Sequence, residues 1–286
     1  MLSYQHAFHA GNAADVHKHL ALVMLLRRLG RKDTPLCYVD SHAGRGVYDL
    51  EGGQAQKTGE AGTGILRLAG ARSEPEPEPV RDYLDLVAGF NEPSHLRYYP
   101  GSASLAQALL RAGDRAILLE RHPQELAALK RSIGRDGRVG MHARDCHEGL
   151  PALLPPPIRR GLVLIDPSYE LEGEYEGIVS LLGKALARWA NGVYLLWYPL
   201  LAEARHRGLL RKLQARCPPR TLISEYRFGA RGLGLEGSGL AVVNAPWRFD
   251  AELADAMRHV VAALDGSGAY EQRWLTRDPP RRSMRA

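Results

Sequence analysis

The sequence predicts an α/β fold of Rossmann-like type: a mostly parallel, seven-stranded sheet ending in an antiparallel hairpin. Three observations carry this. Short apolar runs with β-branched members alternate with helical stretches, as strands buried on both faces of a parallel sheet do. Three of these runs end in an acid: Leu36 to Val39 before Asp40, residues 115–119 before Glu120, and Leu162 to Ile165 before Asp166. A glycine turn, Gly44-Val-free of bulky residues up to Gly46, follows the first run and suits close approach of a ligand to the backbone.

The chain of 286 residues suits one large α/β domain with an insertion, and its 45% hydrophobic content supports a sizeable core. No apolar run is long enough to cross a membrane, and residues 1–20 lack the apolar centre of a signal peptide. Cys37, Cys146 and Cys217 are far apart with no metal spacing, so reduced thiols in a cytoplasmic protein are expected. The net charge of +6 favours an anionic partner, most simply nucleic acid, although an arginine-rich genome would give the same balance.

In chain order, residues 1–46 form an amino-terminal arm, a helix and the first strand. The helix is predicted from Ala13 to Leu29, with Val16, Leu20, Val23, Leu25 and Leu26 as its buried face. Tyr4, His6, His9, His17, Lys18 and His19 crowd the same stretch. The histidines could bind a metal, could be solvated, or could belong to an arm lying over a site; no cysteine or carboxylate pattern completes a metal set.

Residues 47–96 interrupt the alternation and read as a small helical insertion, with helices over 57–69 and 80–90 around an acidic proline repeat at 74–79. The rest of the main domain spans 97–276. Ser102 is placed to cap a helix over 105–111, whose amino end would suit an anion. A strand ends in Glu120, where an acid commonly bonds ribose hydroxyls, and a helix covers 123–133. A third strand runs over 138–146 and closes on Asp145-Cys146. A helix over 175–189 precedes a strand at 193–199; strands at 221–228 and 239–247 make the hairpin, with Arg227 and Arg231 in the loop between them. A helix follows over 251–264, and residues 277–286 form a basic tail that could touch RNA.

Asp166-Pro167-Ser168-Tyr169 resembles the Asp/Asn-Pro-Pro-aromatic motif of amino-group methyltransferases. The chemistry suits those residues. An exocyclic amine delocalises its lone pair into the ring and is a poor nucleophile. A carboxylate (Asp166) and a backbone carbonyl (Pro167) accepting its two N–H bonds would draw the nitrogen towards a tetrahedral form. Tyr169 would stack on the base. The plainer reading is that Asp-Pro stops a strand and Tyr169 covers the sheet end. Ser168 stands where a second proline is usual.

The whole chain is similar to a narrower group. The opening Met1-Leu2-Ser3-Tyr4-x-His6-x-Phe8-His9-Ala10-Gly11-Asn12 resembles bacterial 23S ribosomal RNA adenine-N6 methyltransferases that modify adenine 2030. So do Asp40-Ser41-His42-Ala43-Gly44, Arg97-Tyr98-Tyr99-Pro100-Gly101-Ser102, Leu162 to Glu170 and Leu196-Trp197-Tyr198-Pro199. The resemblance implies a class I S-adenosylmethionine-dependent fold and S-adenosyl-L-methionine as cofactor. It implies cofactor contacts at His19, His42, Ser102, Glu120, Asp145, Cys146 and Asp166, with glycine more usual at 146. It implies Asp166, Pro167 and Tyr169 as the catalytic group, and Tyr4, His6 and Lys18 as a cluster meeting the substrate RNA. A monomer without metal, acting on 23S rRNA, is expected. A DNA amino-methyltransferase and a non-catalytic RNA-binding protein of the same fold are the alternatives; no separate DNA-recognition domain is evident.

Overall fold

The computed structural model describes residues 5–72, 75–170, 173–216, 220–228, 234–264 and 268–276. After a 3-10 turn, His6–Phe8, come α1 (Ala13–Gly30), β1 (Cys37–Asp40) and β2 (Val47–Asp49). The insertion holds α2 (Gly53–Thr58), a second 3-10 turn (Glu60–Thr63), α3 (Ile65–Gly70) and α4 (Glu78–Ala88). The main domain resumes with β3 (Tyr98–Pro100), α5 (Ser102–Leu109), β4 (Arg115–Leu119), α6 (Pro123–Ile133), β5 (Val139–His142) and α7 (Cys146–Leu153). It ends with β6 (Gly161–Ile165), α8 (Glu174–Arg188), β7 (Val193–Leu201), α9 (His206–Arg216), β8 (Thr221–Arg227), β9 (Leu235–Val243), α10 (Phe249–Leu264) and β10 (Ala269–Thr276).

The main sheet has the order β10-β8-β9-β7-β6-β1-β4-β5. The five strands from β7 to β5 are parallel, and β9, β8 and β10 pair antiparallel in turn. The alternating apolar runs and the β8–β9 hairpin are therefore present, but the sheet has eight strands where seven were expected. The extra strand, β10, reads Ala-Tyr-Glu-Gln-Arg-Trp-Leu-Thr. It lies at the sheet edge against β8, so its polar residues stay half-wet and no buried-strand pattern announces it.

Each central strand feeds two cores, which is why its sequence is apolar without alternation. Leu162 and Leu164 of β6 pack with α1, α5, α6 and α10, while Val163 and Ile165 pack with α7 and α8. Gly161 opens β6 because a side chain there would strike the Cys37 backbone of β1. Helix α1 differs from the one-faced helix expected. It is buried from Ala13 to Leu26, because it lies between the sheet and helices α4, α5 and α10.

The insertion is less regular than predicted. The single helix expected over 57–69 breaks at Gly59, which has φ +64°, and again at Gly64, where a Cβ would fall 2.6 Å from the Asn12 carbonyl carbon. Its two ends are tied by the β2–β3 ribbon. Its apolar residues Ile65, Leu68, Tyr83 and Val87 join the same core as α1 and the sheet. Two more boundaries shift. The strand expected to reach Cys146 stops at His142, because Asp145 leaves the sheet to cap α7. Helix α5 begins at Ser102 itself, with Gly101 as its N-cap residue. Among the described residues no helix is long and apolar enough to cross a membrane. Tyr4, Arg231 and the 277–286 tail lie outside the described residues.

Candidate active site

From β1 the chain winds to β4 and β5 on one side, then returns to β6 and β7 on the other. The switch falls between β1 and β6, and in open α/β sheets ligands bind in the crevice beyond the carboxyl ends at that point. A cavity of about 710 Å³ opens there. It is large enough for a nucleoside-sized ligand. Its wall includes every expected site residue that the structure describes, from His6 and Lys18 on the arm side to Cys146 and Tyr169 across the crevice.

Three strand ends supply carboxylates. Asp40, closing β1, is buried and accepts from Tyr38 Oη at 2.6 Å, Ser102 Oγ at 2.7 Å and the His42 N–H at 3.1 Å. Burial pushes its pKa up, and these three donors oppose the rise. Ser102 thus bonds across to β1 where a cap for its own helix was expected. Asp40 was legible as a strand end but not as a site residue; its only sequence signal is its place before the glycine turn.

Glu120, just past β4, accepts from the His122 N–H at 2.7 Å and the Gly44 N–H at 2.9 Å. Burial raises its pKa, against the pull of these two amides. Gly44 has φ +62°, and a Cβ there would collide with the Tyr48 hydroxyl. The glycine therefore lets the loop turn close over the acid. Asp145 accepts the His147 N–H at 2.8 Å and pairs with Arg121 at 3.0 Å. At Cys146 the side chain packs beside Leu119 and Leu150, and burial pushes its thiol up to about 12. The backbone N–H of this first helical residue is free of the intrahelical ladder, as at any helix start.

Asp166 stands just beyond β6 and accepts from Lys18 Nζ at 2.6 Å. The same ammonium bonds Asp15 Oδ1 at 2.9 Å and lies 5.8 Å from the centre of the Trp197 ring. Asp15 Oδ2 receives the Gly11 N–H at 2.9 Å and faces His6 Nε2 at 2.9 Å. Burial works against the Lys18 charge, yet Asp15 and Asp166 hold its pKa above the ordinary value. Burial likewise opposes charge on Asp15, but His6, Lys18 and His19 keep its carboxyl well below the usual range. Asp15 was missed from the sequence. Its signal is the one-turn spacing to Lys18 on a helix, which puts the two side chains on one face.

Tyr169 takes φ +57° and donates its hydroxyl to the Trp197 carbonyl at 2.9 Å. Its ring lies 4.5 Å from Tyr175 and 5.9 Å from Trp197, centre to centre, so much of it is covered by its own chain. Pro167 and Ser168 line the cavity between Asp166 and this aromatic group. The histidines of the arm and α1 divide. His6 faces Asp15, and His9 faces Glu60 at 2.7 Å. His17 sits in the core between Ser238 and Ser224, at 2.9 Å from each. His19 lines the cavity and bonds Tyr99 Oη at 2.6 Å, and burial pulls it down to about 3. His42, beside Ser41 Oγ at 2.7 Å, is pulled down by burial to about 4. Among the described residues no three His, Cys, Asp or Glu side chains gather as a metal set.

Residues 33–276 match the family model described as "Ribosomal RNA large subunit methyltransferase D, RlmJ". The chain is 36% identical over 279 residues to ribosomal RNA large subunit methyltransferase J of Escherichia coli K12, covering 96% of this chain and 99% of the relative. The chain belongs to the RlmJ family of ribosomal RNA large subunit methyltransferases. The Haemophilus influenzae methyltransferase J is 36% identical over 281 residues, again with 96% and 99% covered. A crystal structure of an RlmJ-like protein from Legionella pneumophila, 35% identical, superposes with a TM-score of 0.86 over 93% of this chain and 98% of that one. As a member of the RlmJ family, the chain is a ribosomal RNA methyltransferase with the class I fold. The two departures noted in its motifs, Ser168 and Cys146, leave the Pro167 carbonyl and the amide of residue 146 in place.

Proposed function

We propose that this methyltransferase uses S-adenosyl-L-methionine to methylate N6 of a specific adenine, the one at family position 2030, in 23S rRNA. One observation carries the reading. Asp166 lies at the carboxyl end of β6 on the same cavity as Glu120, Ser102, His42 and Asp145, so a donor pocket and an amine-binding acid share one space. The cavity fits the cofactor by its donor set. Glu120, held by two backbone amides at a strand end, suits ribose hydroxyls. Asp145 suits an adenine amine, and His19, His42, Ser102 and the amide of Cys146 line the remainder. When bound, S-adenosylmethionine supplies an electrophilic methyl group on a sulfonium.

The chain's own residues do the rest. Asp166 and the Pro167 carbonyl hold the target amine and draw its lone pair out of the ring. Orientation against the donor accounts for much of the acceleration. The target adenine must leave its stack, since a paired amine is already hydrogen-bonded. Tyr169, fixed to Trp197, and the arm bearing Tyr4 and His6 are the groups we assign to the base and its RNA. Lys18, which pairs with Asp166, keeps that carboxylate charged and aimed. The cytoplasm and a monomeric state go with this reading. Nucleoside mass spectrometry of 23S rRNA from cells with and without the gene tests it. Loss of one N6-methyladenosine at that position is expected, and an unchanged modification set would reject it.

A further inference from the structure

A continuous chain of polar contacts runs from the catalytic acid to the amino-terminal arm. Asp166 Oδ2 to Lys18 Nζ is 2.6 Å, and Lys18 Nζ to Asp15 Oδ1 is 2.9 Å. Asp15 then turns its second oxygen, Oδ2, to His6 Nε2 at 2.9 Å. Exposure rises along the far half of this path. The side chains of Lys18 and Asp15 are 5% and 2% accessible, and that of His6 is 21%. The chain thus begins at the reacting group, crosses a dry interior, and ends on an imidazole that meets solvent.

N-methylation of a neutral amine must release a proton. The N–CH₃ bond forms as the methyl–sulfur bond breaks, and the nitrogen is left with one proton too many. An acid closed in behind substrate and cofactor needs somewhere to send it. We propose that Asp15 is a relay and positioning residue of this reaction, passing the amine's proton from the Asp166–Lys18 pair to His6. In that step the nitrogen gives its proton to Asp166. Lys18 takes it while handing one of its own to Asp15, and so remains an ammonium. Asp15 delivers the proton through its other oxygen to His6 Nε2, and His6 gives it to water. No oxidant, metal or second reactant is required, and each group returns to its starting state.

Two features of Asp15 fit this role better than a purely structural one. Its two oxygens are divided between the two sides of the path, Lys18 on Oδ1 and His6 on Oδ2. The Gly11 N–H, at 2.9 Å from Oδ2, fixes the carboxylate in that orientation. Asn12 caps α1 through the Asp15 N–H at 2.9 Å and stiffens the same turn. The ring of His6 stands edge-on to Tyr48 at 5.2 Å, which sets its plane.

This inference rests on Asp166 being the group that holds the amine. The test therefore starts with single-turnover methyl transfer to an rRNA fragment by the wild-type protein; absence of any transfer would fault the functional reading itself. With transfer established, Asp15→Asn is expected to slow the step by about 100-fold, the scale of lost general acid–base help. Its affinity for S-adenosylmethionine by calorimetry should stay within roughly 3-fold, since Asp15 is assigned no cofactor contact. His6→Ala should be slowed and then partly restored by added imidazole. If Asp15→Asn proves unfolded, the imidazole rescue alone decides: its absence overturns the relay. In the free protein, ¹⁵N NMR should show the His6 ring shifting in Asp15→Asn. Transfer by Asp15→Asn at the wild-type rate, or an unmoved His6 signal in the folded variant, also overturns it.

Discussion

At the scale of single residues, the account turns on how Asp166 is held. Its partner Lys18 is shared with Asp15, so removing Asp166 does not strand a buried ammonium. Asp166→Ala should therefore fold and keep cofactor affinity within about 3-fold while transfer falls by ~100-fold or more. Calorimetry beside a tritiated-methyl assay measures both, and near-normal transfer would remove Asp166 from its role. The residues that were readable from sequence share one trait: Asp40, Glu120 and Asp166 each follow an apolar strand, and strand ends mark the binding edge. Asp15 was not readable in the same way. Inside a helix it looks like any solvated acid until the helix is known to be buried. Ser102 was readable as a helix start, but its hydroxyl answers to Asp40 in another element, which only the fold brings within reach.

At the scale of elements, α1 and the turn before it build half the site. Both His17 and His19 are buried in α1 and pulled down by that burial to about 3, from 6.5. Neither takes a proton in the folded chain near neutrality, whereas the unfolded chain does so below about pH 6.5. Stability is therefore fully present above that pH, falls as pH drops through 6.5, and stops falling on their account near 3. Urea midpoints at pH 7.5 and 5.5 should show the loss, and His17→Gln should flatten it. A slope unchanged by that substitution would show that His17 is not a source.

The turn depends on a close approach. A Cβ on Gly64 would press into the backbone of Gly11 and Asn12, which orients Asp15. Gly64→Ala should cost about 2 kcal/mol, as overpacking does, and should slow transfer although residue 64 is outside the catalytic group. Thermal unfolding with the same methyl assay checks both. The helix breaks at Gly59 and Gly64 were hidden in the sequence, because an isolated glycine in a helical pattern does not announce whether its backbone is free or crowded.

At the scale of the whole molecule, the parallel centre and the hairpin were legible because buried strands need apolar runs. The edge strand β10 was not, since half its side chains stay wet. The net charge of +6 fits an RNA substrate through phosphate contacts. Affinity for an rRNA fragment should then fall linearly with salt on a log–log plot between about 50 and 200 mM. Fluorescence anisotropy measures it, and a flat plot would mean that basic residues do not contact the RNA backbone.

The most direct measurement is a crystal structure of the protein with a non-reactive S-adenosylmethionine analogue and an adenine nucleotide together. The adenine N6 should lie about 3 Å from an Asp166 carboxylate oxygen and from the Pro167 carbonyl, facing the sulfonium. An adenine bound with its amine turned away from both groups would contradict the account.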